Sequence, residues 1–186
     1  GARATFFLLV EQAQANDALV ARIVADGHEV GLHGLDHRRL TRMAVADLAG
    51  HIRAGRHALE AVVGRPLRWF RPPFGSQSFA SWRAALAVGL TPVVWSIDVQ
   101  DWIDQPPEVL VSRARRDAAC GGILLLHDLL ASDPDDPTTE ASTGFDRAAT
   151  IGAVVSGLRS DGWDLTSVGD LLRGRRVWRS VWFRRV

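Results

Sequence analysis

Glu29-Val30-Gly31-Leu32-His33-Gly34-Leu35-Asp36-His37 decides the reading of this chain, because a short apolar strand runs straight into two histidines. The strand is expected at 28–33, and three later stretches repeat the arrangement. Arg71-Pro72-Pro73-Phe74-Gly75 follows a strand at 68–71, Asp98-Val99-Gln100-Asp101-Trp102 closes one at 92–98, and Leu124-Leu125-Leu126-His127 ends one at 122–127. Further strands are expected at 4–10 and 163–167, with helices at 16–26, 44–63, 78–88, 107–119, 146–160 and 168–173. Short strands alternating with helices give βα units and a parallel sheet. The C-terminal ends of such strands are where α/β barrels gather their chemistry. Six strands are too few for an eight-stranded barrel of about 250 residues. The expectation is an α/β fold, a smaller distorted (β/α) barrel or a barrel with one end outside this chain.

Local signals support the helices. Val45, Leu48, Ile52, Leu59, Val62 and Val63 recur at amphipathic spacing, Asn16 and Asp17 suit a helix start, and Gly64 suits a stop. The segment from Ala131 to Thr143 is acidic and rich in Pro, Ser and Thr, so it reads as a mobile loop. The chain opens on Gly1-Ala2-Arg3 and enters an apolar run at once, which reads as an interior start. Residues 1–172 are expected to form the barrel domain, and 173–186 a basic aromatic tail.

Composition removes several classes. At 186 residues and 47% hydrophobic, the chain can bury one sizeable core. A net charge of +1 gives no general case for nucleic acid. All 22 basic residues are arginine, which excludes a P-loop and a lysine Schiff base. Cys120 is the only cysteine, so neither an intramolecular disulfide nor a thiolate zinc cluster is possible. It lies at the far end of its strand from His127, which makes a Cys-His dyad a poor reading. No Gly-x-Ser-x-Gly elbow is present. No apolar run approaches the roughly 20 residues of a membrane span.

Each motif has a functional and a plainer reading. His33 and His37, four apart at a strand end, can meet one metal ion, or they are two surface histidines in a βα loop. Gly34 stands where zinc proteases carry Glu, which disfavours that class. Arg71 is a guanidinium fork for a carboxylate, or an ordinary strand exit fixed by Pro72 and Pro73. Asp98 and Asp101 orient a histidine or hold a cation, or they belong to a solvated turn, and Trp102 offers an apolar wall. His127 is a general acid or base oriented by Asp98 or Asp101, or a structural histidine.

Together these motifs resemble the polysaccharide deacetylase family (carbohydrate esterase family four), from Ala4-Thr5-Phe6-Phe7 to Trp163-Asp164-Leu165-Thr166-Ser167-Val168. The resemblance implies a distorted (β/α) barrel, usually of seven strands, that removes acetyl groups from N-acetylated, sometimes O-acetylated, peptidoglycan-like or chitin-like sugars. It also suggests a cell-envelope location. By position, His33 and His37 look like two ligands of a divalent ion, zinc foremost, and Arg71 like the arginine that holds the base aspartate. Phe74 matches a backbone oxyanion donor, Asp101 the partner of the acid histidine, and His127 that acid. Trp102 and Leu125 resemble the groups that seat the acetyl methyl, and Asp98 fills an often acidic place.

Two residues depart from the family pattern: Gly34 where Ser or Thr is usual, at the cost of a loop hydrogen bond, and Phe74 where Tyr is frequent. The family's Thr-Phe-Asp-Asp-Gly segment, which supplies the base and a third ligand, does not occur in the sequence. It belongs upstream of Gly1, so the barrel is expected to lack its first strand and residues 1–186 alone to be inactive. Two alternatives compete: a carbohydrate-binding barrel without chemistry, and a metal amidohydrolase acting on small amides. The tail offers Val177, Trp178, Val181, Trp182 and Val186 as one apolar helical face among arginines, for weak membrane-surface contact or for packing on the barrel.

Overall fold

The computed structural model describes residues 1–136, 143–174 and Phe183. The expected loop centre and nearly all of the tail, with the membrane-contact reading attached to it, lie outside the described residues. None of the described helices is long and apolar enough to cross a membrane. The chain divides into two compact units, a larger one of Arg3–Val94 with Ser167–Val186 and a smaller one of Gly1–Ala2 with Trp95–Thr166.

The larger unit is built on strands β1 (Thr5–Leu9), β2 (Glu29–Gly34), β3 (Trp69–Phe70) and β4 (Thr91–Pro92), paired in that order. Every ladder is parallel, as the alternation of strands with helices requires. Helices α1 (Val10–Ala15) and α2 (Asp17–Ala25) connect β1 to β2, α3 (Val45–Val63) leads to β3, and α4 (Phe79–Ala87) leads to β4. The amphipathic face of α3 is real but shifted: Leu48, Ile52, Gly55 and Leu59 are buried, whereas Val45 is 71% exposed. Gly55 belongs to that face because a Cβ there would already touch the Leu32 side chain at 3.4 Å. Gly64 ends the helix in the left-handed region (φ 72°), as expected of a C-terminal glycine.

The smaller unit holds a parallel pair, β5 (Ile97–Asp98) with β6 (Leu124–Leu125), and helices α5 (Pro107–Asp117) and α6 (Arg147–Ser160). Val99, Leu110, Ala114, Val154 and Leu158 form its core. A last helix, α7 (Val168–Leu172), belongs to the larger unit and is capped by the Ser167 side chain.

Several expected boundaries move. Val10 starts a helix instead of ending a strand, because Val10 and Ala13, three apart, are both buried. The expected helix at 16–26 then begins at Asp17, since Asn16 sits between α1 and α2 with its side-chain amide bonded back to the Gln12 carbonyl. The expected strand at 92–98 is two strands, with Thr91–Pro92 paired to Trp69–Phe70 and Ile97–Asp98 paired to Leu124–Leu125. Residues 163–167 form no strand: Trp163 and Leu165 alternate as a strand does, but pack against the α5–α6 core.

Candidate active site

Two clusters carry the chemistry, one in each unit. The first begins in β2. Its register to β1 runs Leu32 to Leu8 and then Gly34 to Leu9, so His33 is an extra residue in the β1–β2 register. A bulge of this kind re-aims the side chain of the inserted residue. The His33 Nδ1 lies 2.7 Å from the Arg71 carbonyl oxygen, which can only accept, so Nδ1 carries the proton and the neutral ring keeps its lone pair on Nε2.

Gly34 follows at φ 150°, and a Cβ there would stand 2.5 Å from the Asp36 carbonyl oxygen. The loop turns tightly here, and a side chain in this conformation would force the Asp36 carbonyl to shift. Asp36 lies between the two histidines but is turned to Arg38, whose Nη2 is 2.7 Å from its carboxylate. Burial pushes the Asp36 carboxyl up, yet the hydrogen bonds and charge of Arg38 outweigh it and hold the group below its ordinary range.

The His37 ring stands 5.0 Å from that of His33 and 4.2 Å from that of Phe74. The Arg39 guanidinium covers Phe74 at 3.8 Å, so the Phe74 ring is held between a histidine and an arginine. Phe74 adopts φ 57° and Gly75 φ 62°, and a left-handed conformation at a bulky residue costs about 1–2 kcal/mol. Arg71 is buried, with Nε donating to the Val93 carbonyl and the guanidinium 4.1 Å from the Phe7 ring. Burial pushes its pKa down to about 10. Its main-chain carbonyl does the work on His33, a role that the motif did not suggest.

The second cluster forms where β5 and β6 end. Asp98 accepts the Gln100 backbone N–H at 2.8 Å and so closes its own turn, with Gln100 at φ 60°. Asp101, 2% exposed, is the carboxylate that meets His127. Its Oδ1 lies 2.7 Å from His127 Nδ1, and its Oδ2 accepts the His127 backbone N–H at 2.7 Å. Of the two aspartates that were open as partners of His127, the structure brings Asp101 to it. Leu125 is buried in β6, and Trp102 is 44% exposed. Cys120 is exposed.

Arg147, the first residue of α6, was missed by the sequence reading. Its Nη1 donates to Asp101 Oδ2 at 3.1 Å and to the His127 carbonyl at 3.2 Å. Its Nη2 donates to the Asp101 carbonyl at 3.2 Å and to Thr143 Oγ1 at 2.9 Å. One signal was available: a cation in the first turn of a helix opposes the helix dipole, so an arginine right after the N-cap Asp146 suggests an anion elsewhere.

Comparison with known proteins sets these clusters in a family. A polysaccharide deacetylase family model matches residues 1–93, half of the chain. The peptidoglycan-N-acetylglucosamine deacetylase of Bacillus cereus is 32% identical over 92% of this chain and 76% of its own length. The chain belongs to the polysaccharide deacetylase family. The chitooligosaccharide deacetylase of Azorhizobium caulinodans is 33% identical, over 88% of this chain and 79% of its own. Among solved structures, a CE4 family pseudoenzyme from Bacillus anthracis matches with TM-score 0.77 and 25% identity, over 95% of this chain and 57% of its own. A mutant of it with restored enzymatic activity matches with TM-score 0.76 and 26% identity, over 95% and 59%. The present chain thus carries the α/β fold of the CE4 family. It spans half the length of one Bacillus subtilis relative and a third of the Listeria monocytogenes deacetylases.

The polysaccharide deacetylase family is generally metal-dependent. His33, with Nδ1 donating to a carbonyl, has the outer-shell arrangement that metal-bound histidines show, and the His37 ring is its neighbour. The donors fit such an ion in kind. They do not complete its shell, because no group of three His, Cys, Asp or Glu able to hold a metal occurs among the described residues.

Proposed function

We propose that this chain supplies the histidine ligands and the proton donor of a metal-dependent deacetylase acting on N-acetylated polysaccharide, of the peptidoglycan or chitin-oligomer type. Removal of O-linked acetyl groups is the lesser variant of the same reaction. The observation that carries the reading is the buried Asp101, which holds both the ring Nδ1 and the backbone N–H of His127. That arrangement fixes the ring and leaves Nε2 as the working atom, the logic of every aspartate-oriented histidine.

A divalent ion, zinc foremost, held by His33 and His37 would polarise the acetyl carbonyl and acidify a water. His127 as imidazolium gives its Nε2 proton to the sugar nitrogen as the C–N bond breaks, and Asp101 offsets the charge before that transfer. The Phe74 N–H is assigned to the developing oxyanion, Arg71 to the base aspartate, and Trp102 with Leu125 to the acetyl methyl. Asp98 acts indirectly, by shaping the turn that carries Asp101. The family's base lies in the Thr-Phe-Asp-Asp-Gly segment that this sequence does not contain. Residues 1–186 by themselves are therefore expected to bind without turning over.

The test is acetate release from an N-acetylated sugar oligomer by two proteins. One is the 186-residue chain, and the other is a chimera with the missing segment of an active relative placed ahead of Gly1. Release by the chimera alone, abolished in His127→Ala, supports the assignment. Release by the 186-residue chain that disappears in His127→Ala would overturn the requirement for the missing segment, and release by the chimera that survives His127→Ala would overturn the acid. Likeness to a CE4 family pseudoenzyme favours a second reading, a sugar-binding barrel without chemistry. Oligomer binding by the chain that survives both chelation and His33→Ala, with no release by the chimera, would establish that reading instead.

A further inference from the structure

Arg147 is engaged in a way that a simple surface ion pair is not. Its side chain is 15% exposed and its partner carboxylate 3% exposed. The two oxygens of Asp101 have separate duties: Oδ1 faces the His127 ring, while Oδ2 takes the His127 backbone N–H and Arg147 Nη1. The same guanidinium reaches the carbonyls of both Asp101 and His127. Two segments distant in sequence, the turn after β5 and the end of β6, are therefore tied by one planar fork. Phe145 supports that fork from below, its ring centroid 5.1 Å from the guanidinium carbon. A lysine has no such fork and cannot satisfy these acceptors together.

The division of the carboxylate matters for the ring. With Oδ2 fully occupied, the carboxylate cannot rotate to present both oxygens to the arginine, and Oδ1 stays on the imidazole. Without the guanidinium, Oδ2 keeps only a backbone N–H, and the carboxylate can turn. The ring then loses the contact that tells its two nitrogens apart.

We propose that Arg147 is a positioning residue, which clamps the Asp101 carboxylate and the His127 main chain so that His127 is held as a single ring form with Nδ1–H on Asp101 and Nε2 outward. The proposal rests on the reading of His127 as the proton donor, and it deepens that reading by naming what sets the donor's orientation. A merely structural role would predict lost stability with an unchanged ring.

The experiment reads the ring directly. The 186-residue chain labelled with nitrogen-15 in histidine is examined by long-range proton–nitrogen correlation, at a pH where the histidine rings are neutral, for wild type, Arg147→Met, Arg147→Gln, Asp101→Asn and the Asp101→Asn/Arg147→Met double variant. The expected result is one neutral form in wild type, with proton on Nδ1, and averaged nitrogen shifts of a mixture in both Arg147 variants. In the Asp101→Asn background, Arg147→Met should add little. Wild-type ring shifts in either Arg147 variant, with only a lowered melting temperature, would overturn the proposal. So would an equal further change in the Asp101→Asn background, or failure of both Arg147 variants to fold.

In the chimera, Arg147→Met should lower kcat roughly tenfold with KM little changed, as expected when a general acid is misaligned rather than removed. If the ring changes but His127→Ala leaves acetate release intact, the functional assignment fails and the clamp stands. If the ring does not change, the clamp fails alone.

Discussion

The two clusters are held in place by different physics. In the larger unit the His33–His37 pair is set by the backbone: a bulge in the β1–β2 register, a glycine at φ 150°, and a main-chain carbonyl on Nδ1. In the smaller unit His127 is set by charge: a buried aspartate and an arginine from the first turn of α6. The backbone device is tolerant of side-chain chemistry and intolerant of shape. The charged device is the reverse, since removing either partner leaves the other in a dry place.

The largest expected effect therefore falls on the charged cluster. Asp101→Ala strands Arg147 and should destabilise the chain by about 3–5 kcal/mol, as breaking a buried pair does, measured by urea unfolding. Zinc affinity, corrected for the folded fraction, should be unchanged. A simultaneous loss of zinc would show that the two clusters are not independent.

His33→Ala should do the opposite: zinc binding weaker by at least about a hundredfold, since even outer-shell partners of metal histidines account for 10–100-fold, with little change in the unfolding midpoint. Competition with a coloured chelator decides it, and equal affinity in mutant and wild type removes His33 from the ligand set. Gly34→Ala should cost about 1–3 kcal/mol for the forced conformation and weaken zinc binding although no ligand is touched. An alanine variant as stable as the native chain would refute the steric account of that glycine.

The smallest effect concerns pH. Burial, only partly offset by Asp36, holds His51 on α3 below its ordinary value of 6.5. The unfolded chain then takes up that proton first, so stability falls as pH drops through about 6.5 and further until the folded ring also titrates. His51→Gln should flatten that part of the stability curve, and an unchanged slope in the variant would assign the loss to another group.

Much of this was legible from sequence because the deciding signals are local. Period-3.6 burial drew α3, the strand-to-histidine junction drew the end of β2, and Gly64 marked the helix end. Residues 163–167 misled because alternation serves packing as well as pairing: Trp163 and Leu165 use it against helices. The tight turn at Gly34 could not be read from the sequence, since it depends on the position of the Asp36 carbonyl, two residues away. Arg147 escaped because it lies 46 residues from Asp101, beyond any motif spacing, and only its awkward place at a helix start hinted at a partner.

The bulge at His33 also bears on how the protein tolerates change. His33 stands outside the β1–β2 register: Leu8 and Leu9 meet Leu32 and Gly34 on either side of it. The imidazole is anchored instead on the Arg71 carbonyl, and the Arg71 guanidinium rests on Phe7 of β1, so a change at Phe7 reaches the histidine through that arginine and not through the strand pairing.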